Sequence, residues 1–174
     1  MEWWREGTGR RGPAADRYNS PVKIEIVDGA GDLDAVKTLF QEYWNSFGFT
    51  PCFQNFGAEL AGLPGSYAAP AGRLALALAD GEPAGCVALR PVDETSAEAK
   101  RLYVRPRYRG LGLGKTLLEW VIEEARAAGY TEMLGDTMPV MERALAMYER
   151  MGFERVGPYL EHATPGAICI RLKL

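Results

Sequence analysis

Between Arg105 and Leu118 the chain reads RPRYRGLGLGKTLL, with glycines at 110, 112 and 114, after an apolar strand-like run and before an amphipathic helix-like one. Bare backbone at alternate positions can approach a ligand closely, and the N–H groups of a helix's first turn have no partner inside the helix. Together they suit an anion, above all a diphosphate. Counting separates the known phosphate loops. The triphosphate loop G-x-x-x-x-G-K-[ST] would end at Gly114-Lys115-Thr116, and it needs glycine where Arg109 stands. The dinucleotide turn G-x-G-x-x-G finds Lys115 at its third site and comes late in the chain instead of after a first strand. What remains is Arg109-x-x-Gly112-x-Gly114, beside Arg107 and Lys115. A turn that only caps a helix accounts for one of these glycines, not for three.

The surrounding periodicity predicts the order of elements. Val22–Val27 alternates as an opening strand, and a helix follows with Leu33, Val36, Leu39, Phe40 and Tyr43 on one face and Asp32 as its N-cap. The segment from Phe49 to Gly72 reads as loop-rich. Two strands then flank a turn beginning at Asp80-Gly81, which predicts a hairpin. Glu98–Val104 is a strand running into the glycine loop, and Lys115–Ala128 carries Leu117, Leu118, Val121, Ile122 and Ala125 on one helical face. A short strand at TEMLGDT, a helix over VMERALAMYERMG stopped at Gly152, and a terminal strand GAICIRLKL complete an α/β pattern with hairpins.

With 174 residues and 47% hydrophobic composition, one domain over residues 21–174 is expected, preceded by a disordered arm over residues 1–20 that has little apolar periodicity. A net charge of -3 gives no reason to expect nucleic acid. Cys52, Cys86 and Cys169 are odd in number and widely spaced, which argues for a reducing, cytoplasmic setting and against a disulfide framework or zinc site. His162 is the single histidine and is expected to be a solvated loop residue, so no metal is expected. No run approaches the ~18 apolar residues of a membrane span.

RLYVRPRYRGLGLGKTLL resembles the acetyl-coenzyme A signature of the GNAT superfamily of N-acetyltransferases, [QR]-x-x-G-x-[GA], with Arg109, Gly112 and Gly114 at its defined positions. ALAMYERMGF and the order of elements resemble the same family through nearly the whole chain after about Val22. The resemblance implies a single-domain GNAT fold, a mixed central sheet flanked by helices, with acetyl-CoA as co-substrate. It implies that the backbone of Arg109, Gly110, Leu111, Gly112, Leu113, Gly114 and Lys115 holds the pyrophosphate. Leu102, Tyr103 and Val104 would pair with the pantetheine arm like an added strand. Tyr148 matches the family's tyrosine near the thioester sulfur, and Glu98 matches an acidic position used as a base. An ion pair with Lys100 on the same strand face is an equal account of Glu98. The family often carries an asparagine about a turn before the tyrosine, where Met141, Glu142 and Arg143 stand here.

An alkyl amine of pKa about 10.4 is neutral in only about one part in a few thousand at pH 7, so removing its proton is harder than expelling a thiolate of pKa near 8.5. No cysteine is placed as an acyl carrier, which favours direct transfer. The aromatic segment CFQNFGAELAGLPGSYAAPAGRLALA lies where the family recognises its acceptor. Phe53, Gln54, Glu59, Tyr67 and Arg90 are the candidates to line that pocket, with core packing as the alternative for each. Glu59 would suit a cationic acceptor and Arg90 a carboxylate. The expected function is acetyl transfer to a small amine, in a monomer or homodimer; the alternatives are an acyl-CoA sensor without turnover, or acetylation of protein lysines or N-termini.

Overall fold

Alternation along the hairpin decides the layers. In the computed structural model, which describes residues 22–47, 55–160 and 165–174, β2 (Arg73–Ala79) turns Leu74 and Leu76 to one side of the sheet and Ala75 and Ala77 to the other. The first side packs with Cys86, Ala88 and Tyr103 against Val36, Leu39 and Phe40 of α1 (Leu33–Asn45). The second packs with Val87, Leu89 and Ala97 against Leu117, Leu118, Val121, Ile122 and Ala125 of α3 (Leu113–Ala127). A period of two on the strands meets a period near 3.6 on each helix, and the sheet is buried on both faces. The arm over residues 1–20, Cys52, Phe53, Gln54 and His162 lie outside the described residues.

The other elements are β1 (Ile24–Asp28), the short helix α2 (Phe56–Ala61), β3 (Glu82–Pro91), β4 (Ser96–Val104), β5 (Glu132–Thr137), α4 (Glu142–Arg150), β6 (Glu154–Val156) and β7 (Ile168–Lys173). One mixed sheet has the order β1-β2-β3-β4-β5-β7-β6. The local signals act as expected: the Asp32 side chain accepts from Ala35 N at 3.0 Å, and Asp80 and Gly81 take the positive φ values, 51° and 83°, of a tight hairpin turn. The sequence did not announce β6. α4 is shorter than its apolar pattern, because Met138–Met141 forms a turn before it.

Two irregularities make the site. Cys86 faces Tyr103 and Ala88 faces Lys100, so β4 carries one extra residue there, with Arg101 in the left-handed region at φ 58°. On its other edge β4 pairs with β5 in parallel at Ser96, Ala97 and Glu98 only. From Ala99 to Val104 that edge has no strand partner among the described residues, and the sheet is split.

Candidate active site

A cavity of about 720 Å³ occupies the split. Its lining includes Ala99 through Val104 from β4, Gly110, Gly112, Leu113, Gly114 and Lys115 from the glycine loop, Asp136 and Thr137 from β5, Tyr148 from α4, Tyr43 and Trp44 from α1, and Phe47 just after it.

At one end, Gly110 and Gly112 have φ values of 86° and 82°, and a Cβ built on either would meet nothing within 4 Å. Their side-chain-free faces look into open space. Gly112 is the N-cap of α3 and offers no side chain to the first-turn N–H groups, which therefore stay available. Arg109 Nε donates to Val104 O at 3.0 Å and pins the loop to the end of β4. Leu113 is buried, so it can offer a ligand only its main chain, and Leu111 is exposed. The Tyr103 ring packs toward that of Tyr43, 5.9 Å between centroids.

The C-terminus of α4 sets Tyr148. Gly152 N donates to Glu149 O and Phe153 N to Tyr148 O, the paired bonds of a Schellman cap, with Gly152 at φ 89°. The cap brings the Phe153 ring against Tyr148 edge-on, 5.4 Å between centroids. MYERMGF therefore encodes a helix stop that fixes this tyrosine. Its hydroxyl has no hydrogen-bond partner among the described residues, and burial, with smaller contributions from Tyr43 and Asp136, pushes its pKa above the usual 10.0. It stays protonated at neutral pH.

Glu98 ends the paired part of β4 and is fully buried. It accepts from Arg90 Nε at 2.6 Å, Tyr159 Oη at 2.8 Å and Lys100 Nζ at 3.2 Å. Burial pushes the carboxyl up, but the Lys100 and Arg90 charges and the Tyr159 hydroxyl outweigh it and hold it below the usual 4.5. The ion pair kept open from the sequence is present, though in the interior and not on the surface. Arg90, a candidate acceptor contact, is its partner directly across the β3–β4 ladder.

Glu59 and Tyr67 also meet away from the cavity. Tyr67 Oη donates to Glu59 at 2.7 Å, and Arg101 Nε and Nη2 reach the same carboxylate at 2.9 and 2.5 Å. The Arg101 guanidinium lies 5.8 Å from the Trp44 ring centroid and 5.3 Å from that of Phe56. Thus Glu59, Tyr67 and Arg90 are not among the cavity's lining residues. Asp136, Thr137, Lys100 and Tyr43 are, and the sequence singled out none of them for the site. Thr137 is 5% exposed and its Oγ1 has no hydrogen-bond partner among the described residues, a deficit of about 1–3 kcal/mol that a ligand group in the cavity would relieve. Open nest, free strand edge and orphaned hydroxyl all fit a long ligand carrying phosphate at one end and amide groups along its length. Among the described residues no cluster of His, Cys, Asp and Glu could hold a metal ion.

The profile of the Acetyltransferase (GNAT) family matches residues 33–153. An uncharacterized N-acetyltransferase of Schizosaccharomyces pombe is 37% identical over 157 residues, 89% of this chain and 96% of its own length. The solved acetyltransferase of Streptococcus agalactiae superposes with a TM-score of 0.73 at 22% identity, over 87% of this chain and 98% of that one. A GNAT acetyltransferase of Elizabethkingia anophelis, solved with acetyl-CoA bound, gives a TM-score of 0.52 at 26% identity over 60% of this chain and 77% of its own. With a family match over most of the chain and a relative this similar along nearly its whole length, the protein belongs to the GNAT family of acetyltransferases.

Proposed function

We propose that this chain transfers an acetyl group from acetyl-CoA directly to the amine of a small molecule. The observation that carries the proposal is one continuous cavity, with the glycine nest at one end and Tyr148 and Asp136 in its wall. When bound, acetyl-CoA supplies an acetyl group activated as a thioester. The amides of Gly112–Lys115 would take the pyrophosphate, with Arg109 and Gly110 shaping the loop and Leu111 at its rim. The main chain of Leu102, Tyr103 and Val104 would pair with the pantetheine amides along the free edge, and Thr137 Oγ1 would meet a polar group on the opposite wall.

Tyr148 keeps its proton and lines the cavity, with a hydroxyl that has no hydrogen-bond partner among the described residues. It is a weaker acid than the thiol it would serve, so it acts mainly by hydrogen bonding to the departing sulfur as charge develops there. Glu98, with three donors on it, serves better as the anchor of Lys100 and Arg90 than as the base. Tyr43, Trp44 and Phe47 form an aromatic wall suited to the apolar part of an acceptor.

Thiol release from acetyl-CoA, measured with 2-phenylethylamine, spermidine, lysine, an alanine-initiated peptide and a lysine-containing peptide, tests the reading. Turnover on one of the small amines supports it. Turnover confined to the peptides overturns the acceptor class, and tight acetyl-CoA binding without turnover on any acceptor makes the protein a sensor.

A further inference from the structure

Two carboxylates lie near Lys100 Nζ in opposite circumstances. Glu98 is fully buried with both oxygens committed. Asp136, near the end of β5, has a side chain 26% exposed and its Oδ1 3.9 Å from Lys100 Nζ, beyond a direct hydrogen bond. It lines the cavity on the wall across the split from the free edge of β4. The other charges in this part of the wall, Lys100 and Arg101, are cations held by Glu98 and Glu59. Among the described lining residues, Glu142 is the only other acid, exposed at the start of α4.

An alkyl amine of pKa about 10.4 arrives as an ammonium, and an ammonium leaving water for a partly buried cavity wall is favoured by a counter-charge. We infer that Asp136 is a further catalytic residue: it receives the acceptor as its ammonium and takes the proton that the nitrogen must lose. The inference rests on the acetyl-transfer reading and narrows its acceptor to a cationic amine. A carboxylate beside the nitrogen can take that proton as the carbon–nitrogen bond forms, without hydroxide from solution. The nitrogen–carbon bond then forms as the carbon–sulfur bond breaks. Asp136 passes the first proton to solvent, and as the amide forms it takes the second proton from nitrogen; Tyr148 supplies the hydrogen bond or proton to sulfur, and that second proton restores tyrosine or protonates the thiolate through solvent. Ammonium and thioester become amide, thiol and one proton released to solvent. Asp136, Tyr43 and Tyr148 line the same cavity.

The test compares wild type with Asp136→Asn and Asp136→Glu, on each acceptor of the panel that wild type acetylates, between pH 6.5 and 9. The titratable and charged groups near Asp136 are Lys100 on β4, with Glu98 on the far side of it, Cys169 across the β5–β7 ladder, and Tyr43, Tyr148 and Tyr159, whose hydroxyls feel its charge. Burial is the largest cause that raises the three tyrosines and Cys169 above their ordinary values, and the tyrosines keep their protons through that window. Asp136→Asn should lower kcat/KM for the amine by roughly 100- to 1,000-fold at pH 7, within the range of general base catalysis, with the KM for acetyl-CoA and the melting temperature unchanged. The deficit should shrink toward pH 9 as free amine accumulates, and Asp136→Glu should recover part of it. Activity of Asp136→Asn within threefold of wild type, or a deficit that is constant with pH, overturns the assignment. Wild type that binds acetyl-CoA yet acetylates nothing in the panel overturns the acetyl-transfer reading, and this inference with it.

Discussion

The two halves of β4 are built to opposite rules. From Ser96 to Glu98 the strand is paired on both edges, and Glu98 has a donor on each oxygen. Among the described residues, from Ala99 to Val104 one edge is free, and around it stand a glycine nest without a capping side chain and the hydroxyls of Thr137 and Tyr148, both without a hydrogen-bond partner. Buried polar groups left unpaired cost stability, so a fold that completes its bonds in one half and leaves them open a few residues later has reserved the second half for a ligand. Substitutions in the closed half should register as stability, and those in the open half as binding or rate.

The largest effect is expected at the nest. Gly112→Glu puts a negative side chain among the N–H groups and should weaken acetyl-CoA binding by more than about 100-fold, as calorimetry would show. A Cβ there meets no neighbour, so the protein should stay folded and lose only about 1–2 kcal/mol for the left-handed φ.

Next comes the closed side. Glu59→Ala leaves the Arg101 guanidinium, in a residue 6% exposed, without its carboxylate and should cost about 3–5 kcal/mol in denaturant unfolding. The same pairs set the acid response. For Glu59, as for Glu98, burial pushes the carboxyl up and the cationic partners more than reverse it, holding the folded pKa below the usual 4.5. Their stabilisation is complete above about pH 5 and is lost as pH falls through 4.5 toward the lower folded values. Melting temperature should decline over that interval, and the decline should lessen in Glu59→Gln.

Tyr148→Phe removes one hydroxyl and keeps the ring on Phe153. The rate at saturating acetyl-CoA should fall by roughly 10- to 1,000-fold, at or below the usual range for acid catalysis, with affinity and melting temperature almost unchanged. An unchanged rate would make Tyr148 a packing residue. The smallest effect is expected from Thr137→Val, which removes the unpaired hydroxyl. The free protein should be no less stable, by up to about 1 kcal/mol in its favour, while acetyl-CoA binding weakens several-fold.

The closed half was partly legible in the sequence and the open half unevenly so. The Asp32 cap, the Asp80-Gly81 turn and the helix stop at Gly152 depend on neighbours a few residues away, and each appears where its residues predict. The glycine loop was legible for the same reason. Arg90 and Glu98 sit opposite each other in the β3–β4 register, so their pairing could have been read once the hairpin was extended to β4. Asp136 and Thr137 were not legible, because their importance comes from the parting of β4 and β5, strands separated by the whole of α3. Glu59 and Tyr67 looked like pocket residues for want of a visible partner. That partner, Arg101, turns toward them at a bulge that no local pattern marks.

Hydrogen–deuterium exchange with and without saturating acetyl-CoA measures the difference between the halves most directly. Binding as described should slow the amides of the glycine loop, residues 110–115, and those along the free edge at residues 99–104, while the amides of residues 96–98 keep their rates. Slowing confined to other parts of the chain, or no slowing at either the loop or the free edge, would contradict the placement of the ligand in the split of the sheet.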